Sequence, residues 1–254
     1  MYNVLLYVLI FLLAAVLAAA IVYIVKLKRE NLNLRKELSC SLSVSDAATD
    51  AFTYLAIGNS ITLHGEASYW WNECGMAASV PEKDYVHLVS TGLQTKVGKV
   101  NTVVHQFFVW EAQAHDRSET LCLLDAKLNN HVDLITVQLG ENVQEFSTFE
   151  RDLTELLEYL RRKAPHARII MLGDFWDTKR NGMRKRAAEA SGSEFADISQ
   201  IIGDTQYQCG MGSTVYGNDG NVHTVDHSGV AMHPGDKGMR FIADTVLRQW
   251  QSAS

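Results

Sequence analysis

Five short β-rich apolar runs alternate along the chain with stretches of helical period, and this constrains the fold more than any other feature. The runs are Phe52–Ile57 (FTYLAI), Val100–Val109, Val132–Leu139 (VDLITVQL), Arg168–Leu172 and Glu194–Ile198; the first and third end at Gly58 and Gly140. Between them, Tyr85–Val97 reads as a helix with Asp84 as N-cap, and Ser118–Asn129 carries Leu121, Leu124 and Leu128 on one face. From Ser147 a capping box with Glu150 predicts a helix with Phe149, Leu153, Leu156, Leu157 and Leu160 inward. Arg161, Arg162 and Lys163 suit the negative end of its dipole, and Pro165 stops it. Thr178–Ala190 and Gly235–Trp250 complete the helices, and Val215–Val225 reads as a hairpin about an Asn-Asp-Gly turn. Such alternation predicts a parallel sheet covered on both faces, with ligands bound at the carboxyl ends of its strands.

A second feature lies apart from this pattern. Residues 1–25 hold no charged side chain, and Val4–Val25 is an unbroken apolar run of 22 residues. At about 1.5 Å per residue it is long enough to cross a bilayer. A cleaved signal peptide is the competing reading, but Met1-Tyr2-Asn3 supplies no basic side chain. The expected organisation is a single-pass anchor over 1–25, a basic juxtamembrane helix and linker over 26–50, and a catalytic domain over 51–254. Lys26, Lys28, Arg29, Arg35 and Lys36 against Glu30 and Glu37 give the flank a charge of +3, and the rest of the chain carries −9. The positive-inside rule would keep the domain cytoplasmic, whereas a cell-envelope substrate would require the outside, and both remain open. The net charge of −6 over 254 residues gives no reason to expect a nucleic-acid partner. Four cysteines are too few for a disulfide scaffold, and Cys74, Cys122 and Cys209 are expected as free thiols.

Three short segments fall where a parallel sheet places its chemistry. Gly58-Asn59-Ser60-Ile61-Thr62 follows the first strand, Gly140-Glu141-Asn142 the third, and His233-Pro234-Gly235-Asp236-Lys237-Gly238 leads into the last helix. Taken together and in this order, over residues 52 to 250, they make the chain resemble the SGNH (GDSL-like) hydrolases, a family of esterases, lipases and carbohydrate acetylesterases. That resemblance implies a three-layer α/β/α fold with a flavodoxin-like, five-stranded parallel sheet, preceded here by the transmembrane helix. It implies Ser60 as nucleophile, His233 as general base, and the Ser60 N–H and Asn142 side-chain amide as oxyanion donors. No metal or cofactor is expected. The resemblance implies a small acyl ester or acylated glycan as substrate, with acetyl on carbohydrate favoured.

The sequence departs from the family's pattern at three positions. Asn59 stands where many members carry aspartate. The glycine usually found just past the second strand is missing from Phe107-Phe108-Val109-Trp110-Glu111-Ala112, where a backbone N–H of Trp110 or Glu111 is the replacement, or the two residues only pack and cap. Val230 occupies the usual position of the acid, three residues before His233. Either Asp226 orients the imidazole, or a backbone carbonyl does so in a serine–histidine dyad. His223, Asp226, His227 and His233 could also be read as a metal cluster, and Glu141 as a glycosidase acid that lacks a second carboxylate. Trp70, Trp71 and Cys74 either line a pocket or pack in the core. Two further functions stay in view, an O-acetyltransferase acting on an envelope polysaccharide and a degenerate hydrolase that serves as a binding module.

Overall fold

A computed structural model describes residues 51–113 and 116–252, together with positions 17, 20, 23 and 26. The expected membrane span, basic flank and linker therefore lie outside the described residues except at those four positions, which are helical and exposed. Among the described residues no helix is long and apolar enough to cross a membrane. The chain divides into two units, Met1–Ser43 with Cys122–Ala126, and Val44–Leu121 with Lys127–Ser254, the second holding the sheet.

Five parallel strands, β1 (Phe52–Gly58), β2 (Val100–Gln106), β3 (Leu134–Gln138), β4 (Arg168–Leu172) and β5 (Glu194–Ala196), lie in the order β2-β1-β3-β4-β5. This is the flavodoxin-like order, reversing direction of growth between β1 and β3. The crevice at that switch point is framed by aligned strand ends, since Gly58 is in register with Gln106 of β2 and Gln138 of β3.

Six α-helices are described: α1 (Tyr85–Val97), α2 (Phe108–Glu111), α3 (Phe149–Lys163), α4 (Asn181–Ala190), α5 (Ser228–Ala231) and α6 (Asp236–Gln251). α1 packs with α6, and α3 with α4. Val86, Val89 and Leu93 of α1 join Met239, Ile242 and Val246 of α6 over Tyr54, Ala56, Leu134 and Ile170 of the sheet. Side chains alternate across a strand, so the buried Leu55, Ile57, Ile135 and Val137 face the opposite layer. Strands β6 (Thr214–Tyr216) and β7 (Val222–Thr224) form the expected antiparallel hairpin.

Several expected boundaries move. Asp84 caps α1 as read, accepting the His87 N–H at 2.8 Å. The second strand stops at Gln106, because the chain coils into α2 and turns Trp110 and Glu111 inward, both buried. The third and fifth runs shorten to Leu134–Gln138 and Glu194–Ala196, and Arg117–Lys127 forms 3-10 turns in place of the α-helix read over Ser118–Asn129. The helix read over Thr178–Ala190 begins instead with a 3-10 turn at Thr178–Arg180. The capping box does not form. Thr148 takes the N-cap position without a side-chain cap, the Ser147 N–H donates to Glu145, and Glu150 is drawn to Arg186 at 2.5 Å.

Candidate active site

Ser60 stands in a tight turn immediately after β1. The Thr62 and Leu63 N–H groups donate to the Asn59 carbonyl at 3.0 and 2.9 Å, and Asn59 Oδ1 accepts the Ile61 N–H at 3.1 Å. Glycine precedes the turn for a steric reason, since a Cβ at Gly58 would meet Thr62 Oγ1 at 1.9 Å and the Gln138 carbonyl at 2.8 Å. The Asn59 N–H donates to that same carbonyl at 3.1 Å, which ties the turn to the end of β3. Among the described residues the Ser60 N–H donates to no protein acceptor.

His233 reaches Ser60 from the segment between α5 and α6. Its N–H donates to the Val230 carbonyl at 3.0 Å and its own carbonyl accepts the Cys209 N–H at 2.9 Å. Nε2 lies 2.8 Å from Ser60 Oγ, and Nδ1 lies 2.6 Å from the Gly229 carbonyl. A carbonyl only accepts, so Nδ1 carries the hydrogen and Nε2 is left to accept from the serine hydroxyl. Trp176 braces the ring: its Nε1–H donates to the Met232 carbonyl at 3.0 Å, and the indole meets the imidazole nearly edge to face at 5.0 Å. Burial lowers the imidazole pKa to about 4; the Gly229 carbonyl opposes that shift, and His64 and His227 add to it.

Asn142, exposed in the turn after β3, lines the same cleft of about 270 Å³ as Ser60 and His233. His64, Tyr69, Met76, Gln106, Phe108, His227, Gly229 and Val230 form the remaining wall. Among the described residues no carboxylate, lysine or arginine lines it, which suits a neutral ligand. Of the four residues singled out in the sequence, three therefore converge and the fourth does not. Asp226 is exposed, and the Gly229 carbonyl occupies the Nδ1 position proposed for it. We expect Asp226→Asn to leave turnover within about twofold and to leave the acid limb of the pH–rate profile near pH 4, where His233 gains its proton. A tenfold loss, or a limb moved further toward acid pH as a stabilising carboxylate is removed, would restore Asp226 as the orienting group.

The FVWEA segment contributes a side chain to the site where the sequence suggested a backbone donor. The Trp110 N–H is spent on the Phe107 carbonyl at 3.0 Å. The Glu111 carboxylate, 2% exposed, instead accepts from Asn59, Gly140 and Asn142. Glu141 does have a nearby carboxylate: the Asn59 side-chain nitrogen donates to Glu111 at 3.1 Å and to Glu141 at 2.8 Å. Burial raises the Glu141 pKa, Arg184 counters this at an ion-pair distance of 3.0 Å, and Asp174 and Glu111 reinforce it.

The other histidines of the candidate metal cluster stack on aromatic rings, His227 doing so on the cleft wall. His223 stacks on Trp71 at 4.2 Å and bonds Asp219, and His227 stacks on Tyr69 at 4.5 Å. Among the described residues no group of three His, Cys, Asp or Glu side chains is placed to hold a metal ion. Trp70 and Cys74 pack in the core, where burial pushes the Cys74 thiol pKa up. His64, Tyr69 and Met76, in the loop after Ser60, were not singled out in the sequence, since loop residues carry no periodicity to mark the direction of a side chain.

No protein-family model and no curated protein matches the chain. Solved structures do resemble it at low identity. A salicylyl-acyltransferase from a tetracycline biosynthetic pathway is 14% identical, with a TM-score of 0.50 over 82% of this chain and 57% of its own. An acetyl xylan esterase from Geobacillus stearothermophilus is 18% identical over 79% of this chain and 96% of its own, with a TM-score of 0.48. A phospholipase A1 from Streptomyces albidoflavus is 15% identical over 78% and 99%, with a TM-score of 0.45. The first of these likenesses supports the three-layer α/β/α fold, and the fold alone.

Proposed function

We propose that residues 51–254 form a serine ester hydrolase of the SGNH (GDSL-like) type, acting on small acyl esters and chiefly on acetyl groups carried by carbohydrate. The observation that carries this reading is the 2.8 Å contact between Ser60 Oγ and His233 Nε2, with the Gly229 carbonyl fixing the tautomer in which Nε2 is the base. In the acylation step Ser60 Oγ attacks the ester carbonyl while Nε2 takes the hydroxyl proton. The imidazolium so formed is stabilised by the Gly229 carbonyl at Nδ1, the role an aspartate plays in a triad. The unengaged Ser60 N–H and the second hydrogen of the Asn142 amide are the donors for the tetrahedral oxyanion. Nε2 then returns its proton to the departing alcohol, and water repeats the sequence to release the acid.

The cleft supports a small acyl group. Its volume of about 270 Å³ is modest, below the roughly 300–1,000 Å³ of sites that enclose a whole drug-sized ligand. Tyr69, Met76, Phe108 and Val230 give it apolar walls. In this reading the residues 4–25 tether the domain to a membrane, and protease digestion of intact cells reports which side it faces.

The direct test is a serine-directed phosphonate followed by peptide mass spectrometry. One adduct per chain, on Ser60, is the expected result, abolished in Ser60→Ala. Labelling at another residue, or none, overturns the assignment.

A further inference from the structure

We propose that Glu111 is the positioning residue of this site, a buried carboxylate that fixes the Asn142 amide in the one orientation able to stabilise the oxyanion. The proposal rests on the esterase reading above. An oxyanion donor acts through preorganisation, since a donor that must be oriented during the reaction loses much of its advantage. Asn142 is exposed in a turn, and an asparagine amide has two faces of opposite sense, a carbonyl that accepts and an NH2 that donates. Presented the wrong way round, it would repel the oxyanion.

Among the described residues, the four groups that hydrogen-bond Glu111 are all N–H donors. Oε2 accepts from Asn142 Nδ2 at 2.8 Å. Oε1 accepts from Asn59 Nδ2 at 3.1 Å, from the Gly140 N–H at 2.5 Å and from the Asn142 N–H at 3.4 Å. A carboxylate accepting four such bonds has no donor to offer, so the Asn142 amide can face it only with its NH2. One hydrogen is held by Glu111, and the other is left for the cleft. The same carboxylate grips the backbone on either side of Glu141, where Gly140 has a φ of +115° and a Cβ would strike Phe149 at 2.6 Å. It also holds the side chain of Asn59, the residue preceding Ser60. One buried group thus sets the spacing between the serine turn and the asparagine turn.

Glutamine at position 111 has nearly the same shape but offers an NH2 of its own. It cannot accept from all four donors, and it permits the flipped Asn142 amide. The loss is bounded by that of removing the Asn142 donor outright, about 10²–10³ in kcat. We expect Glu111→Gln to lower kcat for p-nitrophenyl acetate about 10- to 100-fold, with KM within about threefold.

A double-variant cycle separates positioning from general structural damage. In an Asn142→Ala background, Glu111→Gln should cost less than about threefold, because the group it orients is already gone. Equal losses in both backgrounds, or a loss confined to KM, would overturn the proposal while leaving the esterase reading intact. A wild-type chain that neither turns over the ester nor takes the phosphonate removes the esterase reading, and this proposal with it. If Glu111→Gln does not fold, Glu111→Asp runs the same cycle: it keeps a carboxylate but withdraws it by one methylene from Asn142, and its loss should vanish in the same way.

Discussion

Ser60→Ala is expected to lower turnover by about five to six orders of magnitude, His233→Ala by a similar factor, and the double variant by no more than either alone. The reason is geometric. Ser60 Oγ is a weak nucleophile until its proton has somewhere to go, and Nε2 at 2.8 Å is the acceptor within reach. Without the serine the imidazole has nothing to activate, and without the imidazole the hydroxyl stays protonated. The two side chains therefore act as one unit, whose loss is counted once. A residual rate of about 10³–10⁴ over water should survive in all three variants, supplied by binding and by oxyanion donors that do not depend on either side chain. Measuring kcat for the two single variants and the double variant decides the matter. Losses that multiply would mean that His233 and Ser60 contribute through separate routes, and an undiminished Ser60→Ala would place the chemistry elsewhere.

How far these residues were legible in the sequence depends on what kind of signal each leaves. β4 and α1 were read with their observed boundaries, because Arg168–Leu172 is bounded by turn signals and Asp84 is a strong N-cap. Phe107–Val109 was read as strand and is helix from Phe108, since a short apolar run has the same composition in a buried strand as in a buried helix turn. Ser60, Asn142 and His233 could be proposed because each sits beside a strand end or helix start that the pattern already locates. The partner of His233 Nδ1 could not be identified in this way. It is a backbone carbonyl, at Gly229, and every residue carries one. Glu111 did leave a trace, a single acid within FFVWEA, where burial is affordable only with compensating donors. Naming those donors required the fold, since they come from the ends of β1 and β3 and lie 29 to 52 residues away in sequence.

The second large effect falls on stability. Arg184→Met should lower the melting temperature by about 6–20 °C at pH 8, and by less at pH 5. Arg184 is fully buried in α4, at ion-pair distances of 3.0 Å from Glu141 and 3.3 Å from Asp174, and it donates to the Leu172 carbonyl at 3.1 Å. Methionine fills much of the same volume, so the cost is chiefly electrostatic. Asp174 retains Arg180 at 2.6 Å, whereas Glu141 is left with the Asn59 amide and the neighbouring acids. Leaving one member of a buried ion pair uncompensated costs about 3–5 kcal/mol. Each kcal/mol corresponds to about 2–4 °C in a domain of this size. The pH dependence follows from Glu141. Burial already holds its folded-state pKa above the ordinary 4.5, and Arg184 is the group that opposes this, so its removal raises the pKa further. A carboxyl with a raised folded-state pKa binds its proton more tightly in the folded chain than in the unfolded one. Its contribution to stability is present in acid and is lost as pH rises from about 4.5 through the folded value. The deficit of Arg184→Met should therefore shrink as the pH falls, which thermal unfolding of wild type and variant at pH 5 and pH 8 would measure. A deficit of the same size at both pH values would assign the cost to packing and to the lost Leu172 bond, and would mean that Glu141 does not depend on Arg184 for its charge.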